Sequence, residues 1–188
     1  MKRIAIFASG SGTNAENIMR YFADSDVVIV NYVITNNRDA KVIDRAGKYG
    51  VSVKILEKGE LNTPEFLHFL KEESDFIVLA GFLLKIPDAV VLAFPDKIVN
   101  IHPSLLPKYG GKGMYGSHVH EAVVANKEKE SGITIHLVNE KYDEGAILFQ
   151  ASVSLEASDS PETVAAKIHE LEQKYFPSVI EKVITSVN

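Results

Sequence analysis

Asn100 and His102 sit two residues apart in KIVNIHPSLLPKYGG, residues 97–111. In an extended strand, residues i and i+2 point the same way. The two side chains therefore share a face at the end of an apolar run. Pro103 restricts His102 to extended geometry, and Pro107 does the same to Leu106. An imidazole can accept and donate protons near neutral pH. A carboxamide can donate to a developing oxyanion without becoming charged. The pair suits attack on a carbonyl carbon by an external nucleophile. Ser104 lies close by, but no nucleophile-elbow sequence surrounds it.

A carboxylate would complete such a site, and NEKYDEGAI, residues 139–147, offers Glu140, Asp143 and Glu144. One of the three could hold the imidazole or a water and relay protons; sequence alone does not choose among them. His118, His120 and His136 invite a metal. However, the chain has no cysteine and no H-E-x-x-H, and a spacing of two puts His118 and His120 on different faces of a helix. No metal is expected.

A second feature, FASGSGTNAENIM at residues 7–19, carries Gly10 and Gly12 between a strand and a helix. Its backbone N–H groups, with Ser11 and Thr13 hydroxyls, make an anion site, and Thr13 or Asn14 can cap the helix. The match to the dinucleotide fingerprint is partial, with Ala15 in the third small position, and no Walker lysine is present. A single phosphate monoester is the expected ligand.

The elements that position these residues follow from periodicity. Short β-branched runs occur at 3–8, 27–35, 51–56, 76–80 and 97–101. Helical spacing fills 14–23, 40–49 and 63–73. This alternation indicates parallel βαβ units. Runs 131–139 and 145–155 are too close together for a crossover helix and predict an antiparallel hairpin. A long helix is expected over 160–183, opened by Ser160-Pro161 and kinked or interrupted at Pro177. The fold class is α/β: a three-layer, open, mostly parallel twisted sheet with helices on both faces and an antiparallel hairpin in the second half. No linker divides the chain, so one domain over 1–188 is expected. The glycine-rich segment 108–116 reads as a mobile loop near the site.

The chain has 188 residues, 46% of them hydrophobic, which is enough for one sizeable core. A formal charge of -5 argues against nucleic acid. The absence of cysteine suits a reducing compartment. No signal peptide or membrane-spanning run is visible, so a cytoplasmic location is expected.

Taken together, SGSGTN (9–14), LAGFLLKIP (79–87), NIHPSLLP (100–107), YDEG (142–145) and HELEQKYFP (169–177) resemble, in order, the motifs of the folate-dependent phosphoribosylglycinamide formyltransferases. The resemblance implies formyl transfer from 10-formyltetrahydrofolate to glycinamide ribonucleotide, with the folate as co-substrate and no metal. The implied catalytic residues are Asn100, His102 and Asp143. Gly10, Ser11, Gly12, Thr13, Asn14 and Glu172 would hold the ribonucleotide. Phe82, Leu83, Leu84, Ile86, Glu140 and Tyr142 would frame the folate. The N-terminal half would bind the phosphate, and the C-terminal half the folate and the chemistry. The NIHPSLLP motif is shared by enzymes that formylate initiator tRNA or sugar nucleotides, and by folate hydrolases. The chain's length, acidity and phosphate-type turn favour the ribonucleotide. The implied partners are small molecules, in a monomer or homodimer, with no nucleic acid or membrane. Hydrolysis of the folate, formylation of another amine, or phosphosugar binding without chemistry are the alternatives.

Overall fold

The structure, a computed structural model, describes residues 1–186. The described residues divide into two compact units, 1–99 with 180–186 and 100–179. Each is built from the periodicities above.

In the first unit, β1 (Lys2–Phe7), β2 (Val28–Thr35), β3 (Ser52–Ile55) and β4 (Phe76–Leu79) form parallel pairs, β1 with β2 and β4, and β2 with β3. Helices α1 (Thr13–Tyr21), α2 (Val42–Lys48) and α3 (Pro64–Glu73) follow β1, β2 and β3. Ile4, Ile6, Phe7, Ile77 and Val78 are fully or almost fully buried, and strands apolar on both faces are what a covered parallel sheet requires. α3 starts as its sequence dictates: Thr63 accepts the Phe66 N–H, and Pro64 takes the first helical position. A short helix, α4 (Asp88–Ala93), was not anticipated; it lies between Pro87 and Pro95, with Val90 and Val91 buried. β5 (Ile98–His102) begins in this unit and ends in the second, so the strand order here is β3-β2-β1-β4-β5.

In the second unit the order continues as β5, β6 (Glu130–Leu137) and β7 (Ile147–Ser154), with α5 (Ser117–Ala125) before β6. β6 and β7 are antiparallel, as the hairpin reading required. Ile133 and Ile135 are fully buried on one face of β6. Thr134 and His136, on the alternate face, are also buried, and that is the polar face the site uses.

The last helix, α6 (Pro161–Ser186), runs through Pro177 as one element, so the expected interruption does not occur. Phe176 and Ile180 on either side of the proline are fully buried, and that anchoring outweighs the lost hydrogen bond. Among the described residues, no helix is long and apolar enough to cross a membrane.

Gly132 explains how closely β6 and β7 pack. A Cβ there would lie 2.1 Å from the Ala151 carbonyl oxygen and 2.6 Å from Leu105. Gly132→Ala is expected to lower unfolding free energy by about 3 kcal/mol, in the range of severe overpacking. Urea denaturation checks this; unchanged stability would mean that β7 yields freely.

Candidate active site

The site is built at the ends of β5 and β6. Period-two alternation puts Asn100 and His102 on one face of β5, and Thr134 and His136 on one face of β6. Thr134 secures the segment after His102: its hydroxyl donates to the Ser104 carbonyl at 2.7 Å and accepts the Leu106 N–H at 3.0 Å. Gln150 donates to both Thr134 and the Leu106 carbonyl. The Ser104 hydroxyl donates to the Lys108 carbonyl at 2.6 Å, which makes it a brace for the loop.

Two histidines then set the chemistry. The Nε2 of His102 donates to the Tyr109 carbonyl at 2.7 Å. A neutral ring bonded in this way carries its lone pair on Nδ1, and that atom faces the Asp143 carboxylate at 3.7 Å. Burial pushes the His102 pKa down, and the nearby His136 adds to this; Asp143 and the Tyr109 carbonyl oppose it without reversing the direction. The ring is therefore held neutral below the ordinary histidine value. His136 is the second: its Nδ1 donates to the Leu137 carbonyl at 2.8 Å, which leaves Nε2 to accept from Asn100 Nδ2 at 3.1 Å. That contact fixes the orientation of the Asn100 amide.

Among the three carboxylates of the turn, the structure selects Asp143. Glu140 is exposed and Glu144 pairs with Lys141 at 3.6 Å. Asp143 has a positive φ of 54°, is mostly buried, and accepts the Gly111 N–H at 2.8 Å. His136 Nε2 is 3.6 Å away, beyond hydrogen-bond length. Burial pushes the Asp143 carboxyl up, but its surroundings, His136 and the Gly111 N–H ahead of His102, outweigh it, so its pKa lies below the ordinary aspartate value. An ionised carboxylate thus stands beside a neutral imidazole that has an available lone pair.

The glycine-rich turn belongs to the first unit. Gly12 is the N-cap of α1 at φ 72°, without a side-chain cap. Thr13 and Asn14 already lie within the helix, so neither caps it as expected. A Cβ on Gly12 would lie 2.5 Å from the Val42 side chain, so only glycine fits.

These features agree with what the chain is similar to. Residues 2–180 match the formyl transferase family model. The phosphoribosylglycinamide formyltransferase of Bacillus subtilis is 35% identical over 98% of this chain and 95% of its own length. The chloroplastic enzyme of that name from Arabidopsis thaliana is 40% identical over 95% of this chain. The chain spans 64% of that relative and 60% of the one from Vigna unguiculata. The crystal structure of the Bacillus halodurans phosphoribosylglycinamide formyltransferase superposes with a TM-score of 0.88 at 36% identity, covering 100% of this chain and 97% of that one. The chain belongs to the phosphoribosylglycinamide formyltransferase family. Its fold is the family's α/β fold, with a mixed, mostly parallel sheet flanked by helices.

The remaining residues expected from the formyltransferase resemblance fall in varied settings. Leu83 and Leu84 are exposed, and the Leu83 N–H donates to Ser9 Oγ at 2.9 Å. Phe82 packs edge-on against Phe7, whereas Ile86 is a core residue, 4% exposed. Tyr142 is half exposed. Glu172 is largely buried on α6, with His169 Nδ1 3.3 Å from its carboxylate. Burial also lowers the pKa of His120, which feels Glu172 and His102. Among the described residues, no group of three His, Cys, Asp or Glu side chains could hold a metal ion.

Three contributors were not anticipated: His136 as a partner of Asn100, the Tyr109 carbonyl and the Gly111 N–H. His136 could have been found from the alternation of SGITIHLVN, which places it with Thr134 opposite the Ile133 and Ile135 face.

The depressed pKa of His102 has a consequence for stability. Below pH about 6.5 the unfolded chain binds a proton that the native ring resists, so stability falls as pH drops from there toward the lower folded value. Removing the group removes its share of that fall. His102→Gln is expected to reduce the slope of unfolding free energy against pH between 6.5 and 5.5 by up to about 1.4 kcal/mol per pH unit. Identical slopes for the two proteins would contradict a neutral His102.

Proposed function

We propose that this protein transfers the formyl group of 10-formyltetrahydrofolate to the amine of glycinamide ribonucleotide. The observation that carries the reading is the grouping of a fixed carboxamide, a neutral imidazole and an ionised carboxylate at the ends of β5 and β6. No activated nucleophile accompanies them, since the Ser104 hydroxyl is committed to a backbone carbonyl. The names borne by the family relatives supply the transferred group and the acceptor; the donor is what the folate-dependent motifs imply.

The acceptor amine attacks the formyl carbon, and the carbonyl π electrons move to oxygen. Asn100 Nδ2 has one N–H directed to His136 and donates the other to this oxyanion. The attacking nitrogen becomes positively charged and must lose a proton. His102 Nδ1 accepts it, and the Asp143 carboxylate stabilises the resulting imidazolium. His102 then returns the proton to the departing folate nitrogen as the carbon–nitrogen bond breaks. The products are the formylated amide and tetrahydrofolate, and the histidine ends neutral. The step as written needs neither a covalent enzyme intermediate nor a metal.

We assign Gly10, Ser11, Gly12, Thr13 and Asn14 to the acceptor phosphate and Glu172 to its ribose or glycinamide groups. Phe82, Leu83, Leu84, Glu140 and Tyr142 are assigned to the folate. Ile86 contributes from the core beneath that segment. We assign a single formyltransferase domain to the chain, with phosphate binding in its N-terminal half.

An absorbance assay of folate product, run with and without the ribonucleotide, tests this reading. Product is expected only in the complete mixture; product without the acceptor would identify a hydrolase instead. Asn100→Ala is expected to lower kcat by about 10²- to 10³-fold, the effect of losing one oxyanion donor. A loss below tenfold would remove Asn100 from that role.

A further inference from the structure

We propose that Arg45 is a positioning residue that presents the glycine-rich turn to a phosphate and so sets the preference for a phosphorylated acceptor. This inference rests on the assignment of Gly10–Asn14 to the acceptor phosphate. Arg45 lies on α2, and no motif or resemblance draws attention to it.

Two carbonyls of the turn are bonded to α2. Gly10 accepts the Val42 N–H at 3.2 Å, and Ser11 accepts from Arg45 Nε at 2.7 Å. In a planar trans peptide the C=O and the following N–H point in opposite directions. Both of these peptides are trans. Tying the Gly10 and Ser11 carbonyls toward α2 therefore aims the N–H groups of Ser11 and Gly12 away from it. Consecutive N–H groups held in this way form a concave anion site at the start of a helix.

Arg45 has a second task. Glu16 stands in the first turn of α1, where its negative charge would oppose a bound phosphate. The Nη1 of Arg45 pairs with Glu16, and Lys48 Nζ lies 3.7 Å from the same carboxylate. The Arg45 and Glu16 side chains are only 27% and 20% exposed, whereas Lys48 is 65% exposed and more strongly screened. One guanidinium thus orients the turn and cancels the carboxylate beside it. A lysine could not donate to both partners in this forked geometry.

The test measures inorganic phosphate binding by calorimetry alongside KM and kcat for glycinamide ribonucleotide. Wild-type protein, Arg45→Met, Glu16→Gln and the double variant are compared. Arg45→Met is expected to weaken phosphate binding and raise the acceptor KM by about fivefold to tenfold, with kcat within about threefold and the folate KM unchanged. Adding Glu16→Gln should recover part of the loss, because the uncompensated carboxylate is gone. A merely structural role would show no such rescue. If Arg45→Met does not fold, Arg45→Lys replaces it, with an expected weakening of about twofold to fourfold. Unchanged phosphate binding in the Arg45 variant overturns the inference, as does a double variant that binds no better than Arg45→Met. Wild-type protein that binds phosphate but transfers no formyl group would sink the proposed reaction and leave the role of Arg45 standing. Wild-type protein that binds no phosphate would sink the role of Arg45.

Discussion

A single hydrogen bond, from His102 Nε2 to the Tyr109 carbonyl, decides what the second unit can do. It fixes the tautomer, and the tautomer fixes which nitrogen can move a proton. With Nε2 committed, Nδ1 is the only basic atom of the ring, and it is the atom nearest Asp143. Burial keeps the ring neutral and hence able to accept. The Gly111 N–H helps keep Asp143 ionised despite its own burial. If the ring were bonded the other way, its lone pair would face a carbonyl and its N–H the carboxylate, and Nδ1 could not accept a proton.

The buried polar side chains Thr134 and His136 are held in hydrogen bonds. A polar group removed from water is costly unless it is hydrogen-bonded. Thr134 shows the solution: it is fully buried and bonds the backbone on both sides of the Leu105 peptide segment. His136 does the same for Asn100, passing the constraint from the Leu137 carbonyl through its ring to the carboxamide. In the first unit the logic is steric as well as polar. Val42 leaves no room for a side chain on Gly12, while Arg45 holds the peptide next to it. Each unit therefore fixes these groups by contacts of its own.

Much of this was legible in the sequence, and the reasons differ from residue to residue. That Asn100 and His102 share a strand face was readable because period two is an unambiguous rule and because a following proline restrains the chain. The βαβ alternation and the late hairpin were readable for similar reasons, since segment length separates the two kinds of connection. The choice of Asp143 over Glu140 and Glu144 was not readable from the turn alone, because it depends on which carboxylate the loop carries inward at a positive φ. The Tyr109 carbonyl and Gly111 N–H were invisible, because backbone groups carry no distinguishing letter. Pro177 does not interrupt the last helix, because Phe176 and Ile180 are buried on either side of it. The Gly12 cap was not readable either: good capping side chains at Thr13 and Asn14 were present, but the chain had already turned helical before reaching them.

The most direct test of the account is the protonation state of His102, read from the nitrogen-15 shifts of its ring by NMR at neutral pH. A neutral imidazole with the proton on Nε2 and a bare Nδ1 is expected. An imidazolium, or a neutral ring with the proton on Nδ1, would contradict it, because neither could take a proton from the attacking amine at the atom that faces Asp143.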